Sequence, residues 1–212
     1  MNKNKSNKSK GIVVALKANF LIVEIDYKHN VLDHFYEKIR LLCTRRSKLD
    51  FQGLFIDVGD VVCVESIDYK NKKAVISEVK PRKSFLKRPA VANVTLVSIC
   101  ISADEPLFDM EQTSRFLLTA ECANIKPLII LTKIDLITKN DLILYINKFK
   151  SWGYDCIPVS IHNSQGIDSL IERFRKTKLT VLAGPSGVGK TSLINHLIPT
   201  LSLPTSSVSK KL

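Results

Sequence analysis

Residues 184–191 read Gly184-Pro185-Ser186-Gly187-Val188-Gly189-Lys190-Thr191, with Ser192 next. This is the spacing of a loop that wraps phosphate. Glycines let the backbone curl until its N–H groups converge on phosphate oxygens, and a helix starting near Lys190 adds its positive end. A lysine at this position can reach β- and γ-phosphates, and the Thr191 hydroxyl can join a Mg²⁺ shell. The run LTVLA before the loop and TSLINHL after it supply the strand and helix that such a loop requires.

The loop does not choose a base. Thr132-Lys133-Ile134-Asp135 can, because it follows the apolar run PLIIL. The carboxyl end of a strand in an open α/β sheet is where ligands bind. A carboxylate at Asp135 can accept from both N1–H and the 2-amino group of guanine, a donor pair that adenine lacks. The Lys133 stem can lie across the base face. Ser160 and Ile161 open a loop after CIPVS whose backbone N–H groups can meet the guanine O6. His162 reads as a surface loop residue. His29, His34 and His196 suggest no partners.

Two sets of elements must position these residues. Over 11–80 the apolar runs are short and β-rich: GIVVALKANFLIVEI broken at Lys17–Asn19, IRLLCTRR, VGDVVCVESI and KAVISEVK. Strands of this kind in about 70 residues fit a small all-β barrel, with the OB type the economical closure. From 93 onward strands alternate with helices. NVTLVSICIS, PLIILT, CIPVS and LTVLA read as strands, and 109–124, NDLILYINKFKSW and IDSLIERFRK as helices. Phe116, Leu117, Ala120 and Ala123 have core spacing, and Asn140 or Asp141 is the expected cap of the second helix. Repeated βα units imply a parallel sheet.

The chain has 212 residues and a net charge of +12, from 32 Lys+Arg against 20 Asp+Glu. That excess points to a polyanionic partner, either nucleic acid or an acidic surface. Residues 1–10 are expected to be a disordered basic tail. Residues 81–92 are expected to link the two domains. The KPRKSFLKRP stretch is either a solvated connector or a strap that contacts phosphates through Arg82, Lys83, Lys87 and Arg88, together with Arg40, Arg45, Arg46 and Lys48 of the barrel. The five cysteines form no CxxC pair and read as buried, reduced thiols. No apolar run approaches the ~20 residues of a membrane span. A cytoplasmic monomer without membrane attachment is expected.

The motif order is rotated. A small GTPase runs phosphate loop, switch, DxxG, [NT]KxD and then the serine guanine loop. This chain runs TKID, VSIHNSQG, then GPSGVGKT. With a β-barrel in front, it resembles the circularly permuted small-ribosomal-subunit biogenesis GTPases, the RsgA/YjeQ family. KRPAVANV (87–94), SRFLLTAE (114–121), TKIDL (132–136), VSIHNSQGIDSL (159–170) and the phosphate loop carry the resemblance. It implies an OB barrel on ribosomal RNA, then over 93–212 a permuted P-loop domain that binds GTP or GDP with Mg²⁺. It also implies hydrolysis stimulated by the small (30S) subunit during its late maturation.

The family pattern continues past Leu212 into a switch, DxxG and a zinc-binding domain. Catalytic residues and zinc ligands are therefore expected beyond Leu212, and none is assigned within 1–212. Ile161 stands where the family more often has Ala. For the 212-residue chain alone, weak guanine-nucleotide binding and negligible hydrolysis are expected. Three readings follow: a ribosome-stimulated GTPase, a non-hydrolysing RNA-binding module with a nucleotide-sensing domain, and an ATP-dependent enzyme that happens to contain TKID.

Overall fold

In strand β2 (Phe20–Tyr27) every second residue is apolar and faces inward, so Leu21, Val23 and Ile25 are buried. The same alternation in β1 (Ser9–Lys17), β3 (Glu37–Arg45), β4 (Val61–Asp68) and β5 (Lys73–Val79) builds one apolar interior. Val13, Val23, Leu41, Val62, Val64 and Ile76 are wholly enclosed there. The strands close in the order β1-β2-β3-β5-β4, with β4 returning to β1. Only β3 and β5 run parallel. Closure leaves no sheet edge, which is how so small an all-β unit protects its backbone. The computed structural model describes residues 8–27, 37–51 and 55–205.

Two expectations change here. Most of the expected tail lies outside the described residues, but Ser9 and Lys10 already belong to β1 and pair with Val64 and Cys63 of β4. The expected linker contains a hairpin, β6 (Phe85–Lys87) and β7 (Ala90–Ala92). It is fastened to the barrel unit: Ala92 N–H donates to Val58 O at 2.8 Å, and Asn93 Nδ2 donates to Gly59 O at 2.9 Å. The chain divides into two compact units between Asn93 and Val94.

The second unit is a four-stranded parallel sheet in the order β10-β9-β8-β11. Strand β8 (Leu96–Ser102) and β9 (Pro127–Thr132) are buried at every position, as continuous apolar strands covered on both faces must be. β10 (Asp155–Pro158) and β11 (Thr180–Ala183) flank them. The helices are α2 (Met110–Cys122), α3 (Lys139–Ser151), α4 (Ile167–Arg175) and α5 (Lys190–Leu197), after a short α1 (Ser47–Phe51) in the barrel unit. On α2 the buried face is Thr113, Leu117 and Ala120, whereas Phe116 and Ala123 are half-buried. The cap of α3 is Thr138, not Asn140 or Asp141. Its hydroxyl accepts the Asp141 N–H at 3.2 Å and donates to the Asp141 carboxylate at 2.7 Å. Both bonds use the Thr138 hydroxyl, and this cap starts the helix two residues earlier than Asn140 would. Among the described residues no helix is long and apolar enough to cross a membrane.

The chain runs outward from β8 through β9 to β10, then returns through α4 to β11 on the opposite side of β8. The connections leaving β8 and β11 therefore diverge. A crevice opens at the carboxyl ends of these strands, where α/β sheets bind ligands.

Candidate nucleotide-binding site

Residues 184–189 fill that crevice between β11 and α5. Gly184 has φ 137°, and a Cβ placed on it would lie 2.3 Å from the Cys100 carbonyl. No side chain fits, so the loop can press its backbone onto β8. Val188 is buried in the apolar core beneath the sheet end. α5 begins at Gly189 with no side-chain cap and no acidic residue in its first turn. Its first N–H groups and positive dipole end therefore face the loop. Lys190 folds back over the loop, its ammonium donating to the Gly184 carbonyl at 2.9 Å and to the Pro185 carbonyl.

The TKID segment stands beside it. Thr132 is buried at the end of β9, and its hydroxyl lies 2.6 Å from the Val188 carbonyl and 3.1 Å from the Ile101 carbonyl. Its side chain ties the phosphate loop to the sheet. It also lines one cavity with Lys133 and Asp135. Lys133 has φ 60° and opens a 3-10 turn over Ile134–Leu136. Its ammonium donates to the Glu105 carbonyl. Asp135 is exposed and makes no ion pair with any described residue.

Ser160 is fully buried. Its N–H donates to Gln165 O at 3.0 Å, and its hydroxyl accepts the His162 N–H at 3.2 Å. It shapes the loop rather than offering its side chain to a ligand. Gly166 closes that loop at φ 75°, where an added Cβ would meet the Pro158 carbonyl at 2.0 Å.

Two cavities result. One, of about 290 Å³, is lined by Thr132, Lys133, Asp135, Leu136, Val159, Ile161, His162, Gly189, Ser192 and Leu193. It brings the TKID segment and the 160–166 loop together, and includes His162, which motif spacing passed over. The other, of about 230 Å³, is lined by Lys133, Ser186, Gly187, Gly189, Lys190, Thr191, Ser192 and Thr205. Lys133, Gly189 and Ser192 are common to both. The first has an apolar wall with one carboxylate, suited to a flat base. The second has ammonium, hydroxyl and amide groups and no carboxylate, suited to a polyanion. Among the described residues no group of three or more His, Cys, Asp or Glu is placed to hold a metal.

The thiols are unpaired. Burial pushes the Cys100 and Cys156 thiols up to about 12 and Cys43 to about 11, while the nearby Lys190 charge opposes the shift at Cys100. Only Cys43 and Cys100 are buried, whereas Cys63 and Cys156 are half-buried and Cys122 is exposed, against the expectation that all five would be buried.

The basic residues expected to face RNA divide into two groups. Arg82 is occupied: its guanidinium donates to both Asp60 oxygens at 2.7 and 2.8 Å, to Asp57 at 2.8 Å and to the Phe55 carbonyl at 2.8 Å. Asp60 is wholly buried, so Arg82 neutralises an interior charge, and its own pKa is raised first by those bonds to Asp60. Arg40 pairs with Glu24 at 3.2 Å, and Arg46 pairs with the buried Glu65. Arg45, Lys48, Lys83, Lys87 and Arg88 are exposed, the last two at the tip of the β6–β7 hairpin.

Comparison with known proteins agrees with this arrangement. The family model for the RsgA GTPase matches residues 79–212. A small ribosomal subunit biogenesis GTPase RsgA of Prochlorococcus marinus (strain NATL2A) is 89% identical over the whole chain, which spans 69% of that relative. A protein of the same name from another Prochlorococcus marinus strain is 50% identical over 96% of the chain and 67% of its own length. The crystal structure of YjeQ from Thermotoga maritima superposes with a TM-score of 0.77 at 32% identity, covering 94% of this chain and 68% of that one. YloQ, described as a circularly permuted GTPase, superposes at 0.73 with 28% identity and the same coverage. A barrel, a permuted P-loop sheet and these relatives together place the chain in the RsgA GTPase family.

Proposed function

We propose that the chain binds GTP in the paired cavities and acts as a GTPase in maturation of the small ribosomal subunit. The observation that carries this is the meeting of a base cavity and a phosphate cavity at Lys133, Gly189 and Ser192. The base enters between the Lys133 stem and the 160–166 loop. Asp135 accepts its N1–H and 2-amino group. The 184–191 backbone and the Lys190 ammonium hold the phosphates, with Gly184, Pro185, Ser186, Gly187, Val188 and Gly189 shaping the cradle. A bound Mg²⁺ would spread negative charge away from the γ-phosphate, and the Thr191 hydroxyl is the group placed to hold it. Water is kept from the base by Leu136, Val159 and Leu193, which line the apolar wall.

The RNA surface we infer is the exposed set Arg45, Lys48, Lys83, Lys87 and Arg88, with Arg40 and Arg46 contributing what their carboxylate partners leave. Arg82 is instead committed to Asp57 and Asp60.

Asp135→Asn tests the base assignment. An amide there presents one donor and one acceptor, which suits xanthine better than guanine. Loss of charge-assisted hydrogen bonds contributing ~1.5–3 kcal/mol should weaken GTP at least about tenfold, with XTP gaining relative affinity. Calorimetry with GTP, XTP and ATP reads this. Unchanged GTP affinity in the variant, or ATP bound as tightly as GTP by the parent, overturns the guanine reading.

A further inference from the structure

β8 ends at Ser102, a polar residue 1% exposed. Its hydroxyl donates to the Glu105 carbonyl at 2.7 Å and accepts the Asp104 N–H at 3.3 Å. The next residue, Ala103, donates its N–H to the Thr132 carbonyl at 2.9 Å, so this turn is bonded to the end of β9. The Glu105 carbonyl also receives the Lys133 ammonium. A carbonyl oxygen has two lone pairs. Here Ser102 serves one and Lys133 the other.

Lys133 is the charged side chain common to the base cavity and the phosphate cavity, and its backbone sits at φ 60°. A lysine stem loses much rotamer freedom when it is fixed in one direction. A fixed acceptor for its ammonium lowers that cost before any ligand arrives. We propose that Ser102 is a positioning residue for nucleotide binding. Its buried hydroxyl fixes the Glu105 carbonyl, the carbonyl fixes the Lys133 ammonium, and the stem is thereby held along the wall shared by the two cavities. A serine that only closed a turn would not need the carbonyl it holds to be the one that receives Lys133. This rests on the nucleotide reading above.

The test is a double-mutant cycle on GDP affinity, measured by titration calorimetry with Ser102→Ala, Lys133→Ala and the double variant. Ser102→Ala should weaken GDP about three- to tenfold, the worth of one ordinary hydrogen bond. In the Lys133→Ala background the same change should do nothing more, because the group it acts through is gone. Ser102→Thr, which keeps the hydroxyl, should restore binding. Circular dichroism checks each fold. Should Ser102→Ala fail to fold, Ser102→Cys, with a poorer donor of similar shape, takes its place. Parent-like affinity in Ser102→Ala, or a loss that adds fully to that of Lys133→Ala, overturns the proposal. Lys190→Ala keeps the two readings apart. If it binds GDP normally, the nucleotide site itself is wrong. If it loses GDP while the Ser102 cycle is additive, only the positioning role falls.

Discussion

The barrel unit and the α/β unit treat positive charge in opposite ways. In the barrel, Arg82 is clamped by Asp57 and Asp60, Arg46 by Glu65, and Arg40 and Lys38 by Glu24. Those cations are cancelled by carboxylates, two of which are buried. In the crevice of the α/β unit, Lys133 and Lys190 donate to backbone carbonyls alone. A carbonyl orients an ammonium without neutralising it, so the crevice stays positive and receptive to phosphate. The net charge of +12 therefore does not mark the site. The kind of partner each cation has does.

Removing one cation from each unit should separate the two roles. Arg82→Ala leaves Asp60 buried without its counter-charge, and breaking such a pair costs about 3 kcal/mol. The barrel should unfold at lower urea while GTP affinity stays at the parent value. The chain has one tryptophan, Trp152 in the α/β unit, so its fluorescence follows that unit while circular dichroism follows both. A stable barrel in this variant would mean that the clamp is ornamental. Lys190→Ala should do the reverse. Losing a charge-assisted contact to phosphate costs about 1.5–3 kcal/mol, so GTP affinity should fall roughly ten- to a hundredfold with unfolding unchanged. Normal GTP binding with intact circular dichroism would make the loop structural only.

The parallel sheet was legible because PLIIL is apolar without interruption and LVSICIS is broken only by Ser98 and Ser102, a pattern that burial on both faces explains. The phosphate loop was legible because Gly184 and Gly189 to Thr191 carry their spacing in the chain itself. What was not legible depended on contacts distant in sequence. Nothing local says that Arg82 finds Asp60, 22 residues away, or that Thr132 reaches Val188, 56 residues away. The KPRKSFLKRP stretch looked like a connector because five of its ten residues are basic. Its alternation of Phe85, Leu86 and Lys87 is too short to announce the hairpin, which needs Val58 and Gly59 to hold it. At Thr138 the signal is local: a Thr-x-x-Asp spacing just ahead of the apolar helical run.

The comparison sharpens at the surface. If the exposed cations meet RNA, then neutralising Lys48 and Lys83 should flatten the salt dependence of binding to small-subunit RNA. Each phosphate contact contributes about 0.7–0.9 to the slope of log affinity against log salt. The pair should thus lower the slope by about 1–2, while Arg82→Ala leaves it unchanged. A flat response in the parent, or an equal loss with Arg82→Ala, would show that the exposed set is not the RNA surface.

The smallest effect concerns protons. Cys43 lies in the barrel core, whereas Cys100 and Cys156 lie in the α/β sheet, and burial raises all three thiols to between about 11 and about 12. The folded state holds these protons more tightly than the unfolded chain, whose thiols titrate near 8.5. That contribution to stability is fully present below pH 8.5 and is lost as pH climbs toward 11 or 12. Two of the three thiols are in the α/β unit, so it should weaken more than the barrel. Between pH 7.5 and 9.5 the buried Cys43 and Cys100 thiols should each cost about 1 kcal/mol of unfolding free energy, and the half-buried Cys156 less. Cys100 is fully enclosed beneath Gly184 and gives the cleanest reading. Urea unfolding followed by Trp152 fluorescence should show that loss in the parent and a smaller one in Cys100→Ala. Equal losses in the two proteins would mean that the thiol beneath the phosphate loop ionises as freely in the folded chain as in the unfolded one. The enclosure of the Cys100 side chain would then be wrong.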